Sequence, residues 1–439
     1  MKKVFVSLLI LCAIACQEKN SQSDDAQLKL NQLAEKYIRL GLTIGQYDAD
    51  FVDAYYGPDS LKPQTQPKPK FPKDSLLATV NGLIGQLIEF NNTVTNDTLN
   101  KRAKWMSSQL IAYGRRINIY TQKYQAFDEE SKDLFGAVAP SYSESHYQTL
   151  VAQLDSLLPG TGTINSRFEK LANEFIIPKA KIDTVFKTAI AEARKRTLAH
   201  YQLPANENFT LEYVTGKPWS GYNWYQGNYQ SKIQISIDMP IFIERAIDLA
   251  CHEGYPGHHV YNMLLEKNLY HDKGQVEISL YPLFSPQSLI AEGSANYGIE
   301  MAFPGTEKNK FVKEVLLPLA GLNTANTDLY FQALAIKGKL AYARNEVARG
   351  IINNTMSETD VAKWLTNYGL REKTLASKDI NFIKKYRSYV INYNYGLDIV
   401  KDYIESNGGT PSNESKRWEL FGWLLSNQVR PAELLKTAQ

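Results

Sequence analysis

Cysteine is scarce in this chain of 439 residues: there are three, Cys12, Cys16 and Cys251. The first two sit at the extreme N-terminus, so Cys251 has no partner and the folded part is expected to hold no internal disulfide. Stability must then come from a core. With 44% hydrophobic and 11% aromatic residues, there is material for a large one. Charge of one sign is also lacking. The 49 basic residues nearly cancel the 46 acidic ones, leaving +3, which gives no reason to expect nucleic acid as a partner. Long apolar runs are missing as well. The one clear run, Val4 to Ala13, is about ten residues, too short to span a bilayer as a mature helix.

That run has another use. Lys2 and Lys3 precede it and Ala13-Ile14-Ala15-Cys16 ends it, the arrangement of an export signal. A small residue just before a cysteine at this place is similar to a bacterial lipobox. Residues 1–16 are therefore expected to be a lipoprotein signal peptide, with Cys16 lipidated and the protein exported, anchored on the periplasmic side or at the cell surface. Ordinary cleavage after Ala15 is the alternative. Residues 17–27 are polar and read as a flexible tether. Residues 28–439 read as a single, mostly helical domain.

Helical periodicity is expected over about 75–91, 100–124, 145–158, 164–174 and 178–200. Pro58, Pro63, Pro67, Pro69 and Pro72 mark an extended connection before them. Strands are expected at Phe209–Val214 and Lys232–Asp238; in the second, Ile233, Ile235 and Ile237 alternate with polar residues. The aromatic segment Trp219–Tyr229 reads as a loop between them. A small antiparallel sheet beside a helical core is the expected architecture, and the Ile233-Ile235-Ile237 strand could be an exposed edge on which a peptide would lie as an added strand.

Histidine is rare too, with six in all, yet three fall in His252-Glu253-Gly254-Tyr255-Pro256-Gly257-His258-His259. A histidine followed by a glutamate on a helix is how HExxH zinc hydrolases begin. Here Pro256 occupies the second histidine's place. On an unbroken helix His258 would point about 120° away from His252, and His259 would lie roughly 10 Å further along the axis. Pro256 forbids an unbroken helix, because it lacks an N–H and clashes with the carbonyl of His252. Treating Pro256-Gly257 as a two-residue bulge restores the spacing and makes His258 the second metal ligand, with His259 as the competitor. A catalytic zinc needs a third protein ligand and one open position. Glu292, in an apolar helix candidate after Leu289-Ile290-Ala291, suits that place, since an uncompensated carboxylate there would be costly. Asn296, one turn on, could hydrogen-bond a supporting group. The bland alternative is a kinked helix capped by histidines, with Glu292 paired to an arginine.

With these residues in view, His-Glu-x-x-Pro-Gly-His-His followed by Glu-Gly-x-Ala-x-Tyr resembles the bacterial domain of unknown function 885. So do the opening Asp50–Pro58 and the late run Tyr386–Gly396. Members of that family are placed with the zincin-like metallopeptidases. The resemblance implies a mostly helical zincin with a glutamate as third ligand; it supplies no substrate. Ser294 stands where the resemblance leads one to expect Trp, a departure that bears on pocket shape and leaves the ligands intact.

The expected activity is zinc-dependent hydrolysis of a peptide. His252, His258 and Glu292 hold the metal, Glu253 is the general base, and Arg387, Tyr389 or Tyr393 supplies the oxyanion donor. Two other readings remain: a lipid-anchored binding protein that keeps the fold without catalysis, or a hydrolase of another amide such as a cell-wall crosslink. The presence of Glu253 speaks against the first, since a structural site needs no base.

Overall fold

The computed structural model describes the backbone of residues 2–435 apart from 218, 371 and 372, and side chains from residue 24 onward apart from 218, 371–375 and 436–439. The signal-peptide and Cys16 expectations therefore lie outside the described side chains. No helix among the described residues is long and apolar enough to cross a membrane.

The fold is mainly helical with two small sheets. Helix α1 (Lys2–Gly45) is followed by strand β1 (Val52–Tyr55), then α2 (Lys73–Thr93), α3 (Asp97–Tyr120), α4 (Phe127–Phe135), α5 (Glu144–Leu157), α6 (Ile164–Ala172) and α7 (Ile182–Leu198). Strands β2 (Asn208–Val214), β3 (Gly221–Gly227) and β4 (Gln230–Ser236) come next, then α8 (Ile243–Leu249), α9 (His258–Leu265), β5 (Leu280–Pro282) and α10 (Pro286–Ala302). The remainder is helical: α11 (Glu307–Phe311), α12 (Leu317–Ala320), α13 (Thr327–Leu340), α14 (Ala343–Ile352), α15 (Glu358–Asn367), α16 (Lys373–Tyr386), α17 (Ile391–Ser406), α18 (Glu414–Leu425) and α19 (Pro431–Leu434).

Residues 17–27, expected to be a flexible tether, fall within the range of α1. Of their described side chains, Gln27 bonds Asn31 across one turn at 3.0 Å and Ala26 packs against the core. The sheet is also not the expected one. Strand order is β2-β4-β3, with β2 parallel to β4 and β3 antiparallel to it, so the sheet is mixed. The Ile233–Ile235 strand is the middle one, paired on both sides, and cannot be an exposed edge. The segment read as an aromatic loop is β3. Its hairpin turn needs positive φ at both Asn228 (54°) and Tyr229 (61°), and buried Glu266 accepts both of their backbone N–H groups.

Two features bring the chain's distant parts together. Arg102 and Arg116 on α3 each grip a carboxylate with two nitrogens, Glu277 and Asp48 respectively; buried charges are tolerated because they are paired and bidentate. Helix α10 is buried along most of its length, its polar Gln287, Ser288, Glu292 and Ser294 included. It starts on Ser285, which caps Ser288 N–H, with Pro286 in the first turn. It crosses α17 at very short range: a side chain on Gly293 would run into the carbonyl of Gly396. That approach carries Tyr389 and Tyr393, just before and in α17, up to Glu292 on α10.

Candidate metal centre

The helix that starts as α8 widens into a π-turn over Ala250–Gly254 and then stops. Tyr255 N–H still bonds the Ala250 carbonyl (3.0 Å), and Gly257 N–H bonds that of Cys251 (2.9 Å). The chain resumes as α9 at His258. The break is possible because residue 257 has no side chain: a Cβ there would overlap the carbonyls of both His252 and Cys251. We expect Gly257→Ala to move the His252 carbonyl, lower stability by roughly 3 kcal/mol or more, and impair metal binding. Thermal melting and metal content check this; a variant with unchanged melting and metal would show that the bulge does not depend on glycine.

The break folds His258 back toward His252. Their Nε2 atoms lie 3.2 Å apart. Glu292 Oε2 lies 3.3 Å from His252 Nε2 and 3.8 Å from His258 Nε2. One ligand atom from each of the three residues fits within 4.8 Å of the others. His252 and Glu292 are supported from behind. His252 Nδ1 is 3.0 Å from Asn296 Oδ1, and the Asn296 amide in turn donates to the Tyr393 carbonyl at 2.8 Å. With Nδ1 as the donor, Nε2 presents its lone pair to the cluster. Glu292 Oε1 accepts from the Tyr389 hydroxyl at 3.0 Å. Its Oε2 is buried and has no hydrogen-bond partner among the described residues. A buried carboxylate oxygen left bare between two imidazole nitrogens is what a cation would satisfy. The donor set, two nitrogens and one oxygen, suits zinc with a position to spare.

The electrostatics have the same pattern. Burial pushes His258 down to about 4, with His252 adding to the effect. Burial also disfavours a charge on His252, but Glu292 and Glu253 outweigh it and hold its pKa above the usual value. For Glu292 burial is outweighed by the two histidines, and the carboxyl stays more acidic than usual. Glu253 differs: burial, opposed by His252 and helped by Glu292, raises it to about 7. Its backbone carbonyl accepts from Asn223 at 2.7 Å, and Gly221 makes room for its carboxylate, since a Cβ at 221 would lie 3.0 Å from Glu253 Oε1. Strand β3 thus frames the base.

His259, the competing second ligand, turns the other way. It is fully buried, with Nδ1 2.8 Å from Ser231 Oγ and Nε2 3.1 Å from Glu207 Oε2. Glu207 also accepts from Tyr255 (2.6 Å) and Arg194 (2.5 Å). Burial alone would raise its pKa; these three donors overcome it and pull the carboxyl down to about 2.

The expected oxyanion donors separate. Arg387 is committed elsewhere: its Nε donates to buried Glu130 at 2.7 Å and its guanidinium lies 4.2 Å from the Tyr124 ring centre. None of its described contacts belongs to the cluster, which corrects its expected catalytic place; the burial of Glu130 demands a cation there more strongly. Tyr389 is taken up by Glu292. Tyr393, with its ring 5.7 Å from that of Tyr389, remains partly exposed. Burial first, and then the nearby Glu292, holds its hydroxyl protonated and able to donate. Residues not singled out beforehand also gather here. Tyr222 on β3 donates to Asp53 on β1, and Asp53 is raised to about 6, chiefly by burial, with Glu292 adding to the rise. Asp53 lies inside the Asp50–Pro58 motif, so a signal existed; its position beside the cluster depends on the β1–β5 pairing.

Neither a known protein family nor any curated protein matches the chain. Solved structures do resemble it. A Colwellia psychrerythraea protein, described provisionally as a lipoprotein, has a TM-score of 0.51 at 12% identity, over 83% of this chain and 68% of that one. Trypanosoma cruzi metallocarboxypeptidase 1 scores 0.48 at 11% identity, over 94% and 95%. The M32 carboxypeptidase of Deinococcus radiodurans R1 scores 0.44 at 11%, over 95% of each. At such identities the likeness is one of fold.

Proposed function

We propose that this chain is a zinc-dependent hydrolase, best read as a metallopeptidase of the zincin type, held outside the cytoplasm by a lipid on Cys16. The observation that carries the reading is the convergence of His252, His258 and the unsatisfied Glu292 Oε2 beside a buried carboxylate, Glu253. His252, His258 and Glu292 would hold the metal. Bound there, zinc supplies a Lewis acid and makes water acidic enough to lose a proton near neutral pH. Glu253 accepts the proton of the attacking water and later hands it to the leaving amine. Tyr393 Oη–H donates to the oxygen on which negative charge develops. A peptide substrate would lie along β3, which is paired on one side only and ends its approach at Gly221, against the base.

The purified protein should carry about one zinc per chain. Chelation should abolish cleavage of an unbiased peptide library, and added zinc should restore it. Cleavage indifferent to chelation, or protein that takes up no metal, would overturn the reading. For the anchor, a labelled fatty acid should tag the wild type and spare Cys16→Ala; equal labelling would rule out acylation at Cys16.

A further inference from the structure

Burial alternates along β3. Asn223 and Tyr225 point inward, while Tyr222 and Trp224 face out. The outer face carries a short row of rings: Trp219 and Tyr222 are 5.5 Å apart between centres, Tyr222 and Trp224 4.4 Å. Trp224 is 40% exposed. The Tyr222 hydroxyl reaches across to the Asp53 carboxylate. Neighbouring acids of the same stretch are neutralised, Asp48 by Arg116 at 2.6 Å and Asp50 by Lys385 at 3.0 Å. Asp53 has only the phenol as a described hydrogen-bond partner, and the charged group that acts on it most strongly is Glu292, which repels it. It also acts on Glu253. A half-buried carboxylate facing two other acids is costly unless a cation comes to it. Zinc would answer Glu292; nothing described answers Asp53.

We propose that Asp53, held by Tyr222 on the outer face of β3, is the specificity residue of the site and selects substrates that carry a positive charge on the residue opposite Tyr222. The proposal rests on the metallopeptidase reading. A chain added to the unpaired side of β3, which β1 approaches at Asp53 and, just past its end, Tyr56, places the side chain opposite Tyr222 on the same face, about 4.5–5.5 Å away between Cβ atoms. There the carboxylate takes the charge, and the flanking indole and phenol rings cover the apolar stem and favour a cation over their faces. The charge could be an ammonium or guanidinium on a lysine or arginine side chain, or the free α-ammonium of a short peptide. Both are the same chemistry to Asp53.

The test uses the full zinc-loaded chain and three labelled, C-terminally amidated alanine hexapeptides: one N-acetylated and uncharged, one N-acetylated with a single lysine, and one with a free N-terminus and no charged side chain. Binding is read by fluorescence anisotropy on Glu253→Gln, and cleavage on the wild type. At least one cationic peptide should bind and be cleaved about tenfold better than the neutral capped one, and which of the two does so identifies the source of the charge. Asp53→Asn, which can still accept from Tyr222, should remove that preference, so that the ratio of cationic to neutral rates falls from about ten to about one. Equal use of all three peptides, or a preference that survives Asp53→Asn, overturns this inference alone. If no peptide is bound or cleaved, the metallopeptidase reading falls and the inference with it.

Discussion

Glu253→Gln is expected to fold and to bind zinc like the wild type, yet to lose about two to four orders of magnitude in turnover. The substitution keeps the shape of the side chain and removes only its ability to take a proton. Geometry makes the separation clean. The carboxylate is framed by Gly221 and held through its backbone by Asn223, whereas the three atoms that converge belong to His252, His258 and Glu292. Steady-state rates with metal analysis on the same preparation check this. Should the variant lose zinc, Glu253 is a ligand; should it keep both zinc and activity, Glu253 is not the base and the mechanism fails. Glu292→Gln should behave differently, weakening zinc itself, so that added metal partly restores the rate.

The second large effect separates two neighbouring histidines. His258→Ala should empty the site while leaving the fold nearly intact, and the loss of zinc affinity should exceed the roughly 10–100-fold typical of removing a supporting outer partner. His259→Ala should do the reverse. Its ring fills a fully buried place between Ser231 and Glu207, so removal should cost roughly 2–4 kcal/mol of stability while the protein still takes up about one zinc. Acid sensitivity should change with it. The Glu207 carboxyl is held down to about 2 in the folded chain, below its value of about 4.3 when unfolded. Its stabilisation is therefore present above that unfolded value and lost as pH falls toward 2. Without His259 the folded value rises, so this stabilisation shrinks and the stability difference between variant and wild type narrows in acid. Melting curves between neutral pH and pH 3 with zinc titration would decide; zinc lost from His259→Ala and kept in His258→Ala would reverse the ligand assignment.

Much of the helical layout could be read in advance because its signals are local. The expected helix over 75–91 is Lys73–Thr93, and 145–158 is Glu144–Leu157; apolar spacing near 3.6 survives whatever packs against it. The second strand is found at Gln230–Ser236. The bulge at Pro256-Gly257 was legible for a different reason: proline's missing N–H and glycine's missing side chain act on the backbone of their own segment. The two tiny strands β1 and β5 were not legible, since Val52–Tyr55 and Leu280–Pro282 become strands only by meeting each other. Strand β3 was missed because its aromatic outer face hides the alternation and its turn is held by Glu266, 38 residues from Asn228.

Local chemistry alone therefore determined the predominance of helix, the broken helix at 256–257 and the residue types gathered around it. Tertiary structure decided the rest, because those questions concern direction and partners. Nothing in His258-His259 says which ring turns inward; Glu207 and Ser231, distant in the chain, claim the second. Nothing in Tyr386–Tyr393 says that Arg387 will be spent on Glu130 while Tyr389 reaches Glu292. The alternating isoleucines announce a strand, but whether it is an edge depends on which strands flank it, and β4 is flanked on both sides. Residue type and spacing set what a side chain can do. Where its charge or lone pair is satisfied depends on contacts between segments far apart in the chain, and burial makes those contacts strong enough to decide.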